Sequence, residues 1–115
     1  MKTQIVVTLQ IEGLHNWPQA RTIIPEMGFL SDLHRHIFHF KVAKKVSHDD
    51  RDIEIIMFKR ELQDYFKRNY FNEDLQVCNF GPRSCEMLAK DLLEAYDLDC
   101  VQCLEDNENG AIVCK

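Results

Sequence analysis

Three histidines carry the strongest chemical signal in this chain. His34 and His36 stand two residues apart in a segment that alternates like a strand. Their side chains therefore leave one face with Cα atoms about 6–7 Å apart, close enough for both imidazoles to turn onto one ion. His15 ends an earlier alternating segment and joins them if the two strands pair antiparallel. Three imidazoles with no fourth protein ligand leave a coordination position open, as in a catalytic rather than a structural zinc site. The alternative for the same residues is a set of unconnected surface or core histidines. His39 is an odd number of steps from the pair, so it faces the other side and stays out of the group.

Other reactive residues offer less. The five cysteines are expected to be small buried thiols in a reducing compartment. Cys100-x-x-Cys103 falls on a strand, where a three-residue separation sends the side chains to opposite faces, so it does not form a redox or metal pair. Cys85, beside Ser84 at a helix start, is either a thiol of depressed pKa or a small core residue. Glu105 shares a strand face with Val101 and Cys103. It is either a solvated strand end or a carboxylate able to accept the paired N–H groups of a heterocycle. His48, followed by Asp49 and Asp50, belongs to a cluster of helix-capping types and is a catalytic candidate only if the fold brings it to the other histidines.

The elements that must position these groups follow from periodicity. Ile5, Val7, Leu9 and Ile11 alternate with polar neighbours and predict a strand over 4–14. Residues 16–32, with Trp17, Pro18 and Pro25, form an ordered excursion, and a second strand runs over about 33–46. Ser47 to Asp50 caps a helix of about 50–68 that has acidic residues in its first turn and Lys and Arg in its last. The connection 69–82 has room for a short strand at 75–77. A second helix begins at Ser84 and turns Met87, Leu88, Leu92 and Tyr96 to one side. A strand at 100–105, a turn at 106–110 and an apolar stretch at 111–113 complete the chain. This order predicts one α+β domain over 1–115, an antiparallel sheet with two helices on one face.

Composition narrows the function classes. The 115 residues include 14 Lys+Arg against 19 Asp+Glu, a net charge of −5, which argues against a nucleic-acid partner. No apolar run approaches the roughly 20 residues of a membrane span, and the start of the sequence lacks a secretory h-region, so a cytoplasmic location is expected. With only four glycines, no phosphate-binding loop can be written.

Taken together, five segments resemble motifs of the 6-pyruvoyltetrahydropterin synthase and 6-carboxytetrahydropterin synthase family, the tunnelling fold. Ile11-Glu12-Gly13-Leu14-His15 is similar to its F-x-A-A-H strand end and His34-Arg35-His36 to its H-G-H strand. Ile53 to Lys59 resembles its first helix start, Ser84-Cys85-Glu86-Met87-Leu88-Ala89 its second, and Val101 to Asp106 its late strand end. The resemblance implies zinc on His15, His34 and His36, and a pterin or purine-like ring held by Glu105 with Glu86 as a second ligand-binding carboxylate. It also implies a homo-oligomer, a ring or barrel such as a hexamer, with sites between subunits. The chain departs from the family where the catalytic cysteine belongs, at Leu30, and at Tyr70-Phe71, where the family has an Asp-His pair. Arg35 replaces a glycine beside the expected metal. His48, His39 and Cys85 are the remaining groups that could move protons. Three functions follow as expectations: a zinc-dependent pterin synthase-like enzyme, a protein that captures a pterin, purine or nucleotide without turnover, or an interaction protein with an incidental histidine cluster.

Overall fold

The computed structural model describes residues 1–115 as six strands and four helices. Strand β1 (Gln4–His15) leads through α1 (Ala20–Ile23) and a kinked 3₁₀ segment (Pro25–Ser31) to β2 (His34–Lys45). Helix α2 (Ile55–Tyr70), the short strands β3 (Phe71–Asn72) and β4 (Val77–Gly81), and helix α3 (Cys85–Tyr96) precede the terminal hairpin of β5 (Cys100–Glu105) and β6 (Asn109–Cys114). All strands join one sheet in the order β3-β4-β1-β2-β5-β6. Every neighbouring pair is antiparallel except β1 and β4, which run parallel. The expected α+β class is found, with one parallel pair added to the antiparallel sheet.

Cross-strand partners point to the same face, so the register defines the layers. Val7, Val42 and Val101 form one row of the covered face, and Leu9, Phe40 and Cys103 the next. Leu62 and Phe66 of α2 and Leu88, Ala89 and Leu92 of α3 bury against these rows, which places both long helices on one side of the sheet. Continuing along the same face, the rows become Ile11–Phe38–Glu105, then Gly13–His36, then His15–His34. The apolar stripe therefore runs directly into the histidines. Gly13 is required where it stands: a Cβ there would lie 2.3 Å from the ring of Phe80, which is itself fully buried.

Several local expectations are corrected. The capping-type cluster does not start α2. Ser47 donates its backbone N–H (2.8 Å) and hydroxyl (2.9 Å) to Asp52 and closes a separate loop, while Glu54 caps the helix by accepting the Met57 N–H at 2.6 Å. The acidic residues thus precede the helix rather than fill its first turn, whereas Lys67 and Arg68 do occupy the last. The short strand falls at Val77–Gly81 rather than 75–77, with Phe71–Asn72 as its outer partner. Ser84 caps α3 as expected, but Cys85, Leu88, Ala89 and Leu92 form its buried face and Met87 is exposed.

Two of the five cysteines are not free thiols. Cys100 and Cys114 stand directly opposite each other across β5 and β6, with Cα atoms 4.1 Å apart, and are disulfide-bonded on the sheet face away from the helices. Cys78, Cys85 and Cys103 are buried and free, as expected of small core residues. No helix is long and apolar enough to cross a membrane.

Gly13→Ala tests this packing. Because neither the strand nor the enclosed Phe80 ring can yield, the substitution is expected to cost roughly 1–3 kcal/mol, the range of an overpacked core. Urea denaturation measures it, and wild-type stability in the variant would refute the close approach.

Candidate metal centre

At the end of the covered face, strand pairing builds the cluster without help from loops. His15 is the direct partner of His34 in the β1–β2 ladder, and His36 lies two residues further along β2. Glu105 ends β5 opposite Phe38, one same-face step from His36. The three imidazoles stand 4.6–5.4 Å apart between ring centres and nearly perpendicular to one another. The ligand atoms of His15, His34, His36 and Glu105 all lie within 4.8 Å of one another.

Each imidazole has its outer nitrogen committed. His15 Nδ1 is 2.9 Å from the carbonyl of Arg83, and His34 Nδ1 is 2.9 Å from that of Asp32. A carbonyl only accepts, so both Nδ1 atoms carry the proton and donate it. His36 Nδ1 sits 2.7 Å from a carboxylate oxygen of Asp106, with the same consequence. All three Nε2 atoms are then left as lone-pair donors turned inward. Outer-nitrogen partners of this kind fix tautomer and ring direction in metal-binding histidines.

Glu105 completes the group. One of its carboxylate oxygens lies 2.8 Å from His15 Nε2 and 3.1 Å from His36 Nε2. Lone pairs that face each other at this distance need a proton or a cation between them. Without a cation the proton is held by His15. Burial pulls its pKa down, but hydrogen bonds to Glu105 and to the Arg83 carbonyl, with the Glu105 charge, more than reverse this and leave it raised. The His15 hydrogen bond in turn holds the Glu105 carboxyl below its ordinary range despite burial. A tetrahedral ion with bonds of about 2.0–2.2 Å spaces its ligand atoms about 3.3–3.6 Å apart. The distances from Glu105 to His15 and His36 are shorter than this, as hydrogen bonds are, so the group, which could hold a small divalent cation, would spread slightly to take one. A carboxylate thus stands beside the three histidines, whose imidazoles alone would leave a coordination position open.

The group forms one wall of a cleft of about 610 Å³, whose other walls include Trp17, Leu30, Cys85, Glu86 and Met87. Glu86 stands exposed in the first turn of α3. Cys85, buried at the same helix start, also lines the cleft. Its thiol pKa is lowered, chiefly by a hydrogen bond from Cys103, whose own thiol is pushed up by that bond and by burial. His48 is not brought to the site: it lies past the far end of β2, a strand length of roughly 35 Å away, and pairs with Asp52. Arg35 is not beside the metal ligands either, since it points to the opposite face and pairs with Glu12. His39 shares that opposite face, as its register with Gln10 requires. Sequence reasoning missed the outer partners. Two are backbone carbonyls, which carry no sequence signal, and the third, Asp106, reads in sequence as a turn residue and as the end of the late-strand motif, neither of which assigns it to His36.

The pair His15–Glu105 makes the stability of chelator-treated protein depend on pH. His15 is raised above 6.5, so its contribution is complete below pH 6.5 and fades as pH rises through its folded value. Glu105 is lowered below 4.5, so its contribution is complete above pH 4.5 and fades as pH falls through its folded value. Wild type is expected to exceed Glu105→Gln in thermal stability most between pH 4.5 and 6.5, with the gap narrowing in alkali. A gap that is constant from pH 5 to 9 would exclude the pair as its source.

In comparisons with known protein families and with curated proteins, the sequence matches none.

Proposed function

We propose that this chain is a zinc-binding protein of the tetrahydropterin-synthase type that captures a pterin or purine-like heterocycle in the cleft beside its metal. The observation that carries this reading is the convergence of three oriented Nε2 atoms and a carboxylate at the wall of a 610 Å³ cleft. Three imidazole nitrogens and a carboxylate oxygen are donors that suit zinc. The strand–strand–helix–helix–strand–strand order of the long elements supports the tunnelling fold. When bound, zinc supplies a Lewis acid for ligand oxygens. Glu105 is tied to His15 and His36. Glu86 is therefore assigned as the carboxylate that accepts ring N–H groups, and Trp17 supplies an aromatic wall.

Capture is favoured over turnover by what stands at the catalytic positions of the resembled family. Leu30 lines the cleft where the thiol would be, and Tyr70 and Phe71 pack against the core where the Asp-His pair would be. One observation favours a second reading, the zinc-dependent synthase-like enzyme: Cys85 places a thiol of lowered pKa in the same cleft. Assembly into a homo-oligomeric ring is part of the proposal. It is supported by edge strands β3 and β6, which lack outer partners, and by Val6 and Ile112, exposed on the helix-free face.

Zinc analysis and calorimetry test the proposal. Purified protein is expected to hold one zinc per chain, to lose it in His34→Ala, and to bind neopterin saturably without converting dihydroneopterin triphosphate. Conversion that disappears in Cys85→Ser would transfer the assignment to the enzyme. Zinc content that is absent, or unchanged in His34→Ala, would end both readings.

A further inference from the structure

Asp106 follows the last metal-site ligand and opens the β5–β6 turn, where Asp106 (φ 53°) and Asn107 (φ 59°) both take the left-handed conformation. Two successive left-handed residues match the type I′ pattern, which Asp and Asn tolerate, so turn formation alone would account for the residue type. It does not account for where the side chain goes. The Asp106 N–H donates to the Ile37 carbonyl at 2.8 Å, and one carboxylate oxygen accepts the Ile37 N–H at 2.9 Å. These two bonds clamp the turn to β2 at the residue next to His36. The other oxygen accepts from His36 Nδ1 at 2.7 Å. Both oxygens are thus used, one to fix the carboxylate on the strand and one to hold the imidazole. His15 and His34, by contrast, lean on neutral carbonyls.

We infer that Asp106 is a positioning residue of the metal centre, acting through His36 as a carboxylate–histidine–metal relay. The inference rests on the metal-site reading above and adds a division of labour within it. His36 is the ligand whose Nε2 is made more electron-rich by an anionic partner, and its tautomer is set by Asp106 rather than by backbone. The geometry dictates the outcome of exchanging the carboxylate for an amide. In Asp106→Asn the Ile37 N–H still needs an oxygen acceptor, so the amide oxygen stays on the strand and the NH₂ turns to His36. An NH₂ only donates, so His36 Nδ1 must become the acceptor and the ring proton moves to Nε2, where it blocks metal ligation.

The experiment is a double-mutant cycle for zinc affinity, read by competition with a chromophoric chelator on the intact chain. Asp106→Asn is expected to weaken zinc binding 10- to 100-fold in the wild-type background and to change nothing further in His36→Ala. A substitution that merely loosened the turn would weaken both backgrounds alike, and that result, or wild-type affinity in Asp106→Asn, overturns the inference while leaving the metal site standing. Failure of wild type to bind zinc removes both. Imidazole ¹⁵N spectra of zinc-loaded wild type give an answer that needs no variant. His36 is expected to be protonated at Nδ1 and metal-bound at Nε2, and ligation through Nδ1 refutes the relay.

Discussion

The β1–β2 register is the constraint on which everything else depends. Twelve consecutive pairs run from Gln4–Lys45 to His15–His34. Side chains alternate with a period of two, so a one-residue slip of β2 would move Phe38, Phe40 and Val42 from the core to the open face, away from Val7 and Leu9. The same slip would carry His34 and His36 away from His15 and Glu105. Hydrophobic burial and the meeting of the histidines are thus specified by one alignment, and the buried apolar rows hold the imidazoles in place. Such a site is positioned by strands rather than by loops, which is what precise ligand geometry requires.

Placing a charged centre at the end of an apolar stripe has a cost that the neighbouring residues answer. Beneath the imidazoles lie Phe38 and Phe80, edge-on to each other at 4.9 Å, and His15 stands edge-on to Phe38 at 5.0 Å. Gly13 lets Phe80 approach closely enough to seal this floor. Low dielectric on that side strengthens every interaction above it, the Nδ1–H bonds and the His15–Glu105 contact included. The cations nearby are kept out of the cluster: strand alternation puts Arg35 on the opposite face, where it pairs with Glu12, and Arg83 presents its backbone carbonyl to His15.

How much of this could be read from sequence depended on whether the controlling contact was local. Strand alternation fixed both long strands to within a residue, and with them the meeting of His15, His34 and His36. Ser84 marked the start of α3 because an N-cap acts within its own turn. Ser47 to Asp50 misled because Asp52 was claimed by Ser47 rather than by helix amides, a competition between equally local hydrogen bonds. The parallel β4, the Cys100–Cys114 disulfide and Glu105 as the fourth member of the cluster all depend on which strand lies beside which. Period alone does not contain that information. Asp106 was hidden for a related reason, since its type is equally well explained by the turn it opens.

In this cluster a proton and a cation would compete for the same place. His15, His34 and His36 each donate through Nδ1, so the centre holds inward lone pairs beside a carboxylate, and a raised His15 supplies the missing positive charge. A cation entering the cluster would have to displace that proton, which would tie its affinity to pH, and it would meet ligand atoms of four residues from three strands. Those strands, β1, β2 and β5, are already adjacent in the sheet. The sheet therefore supplies the framework of the cluster, and a cation held there would add to it rather than create the fold.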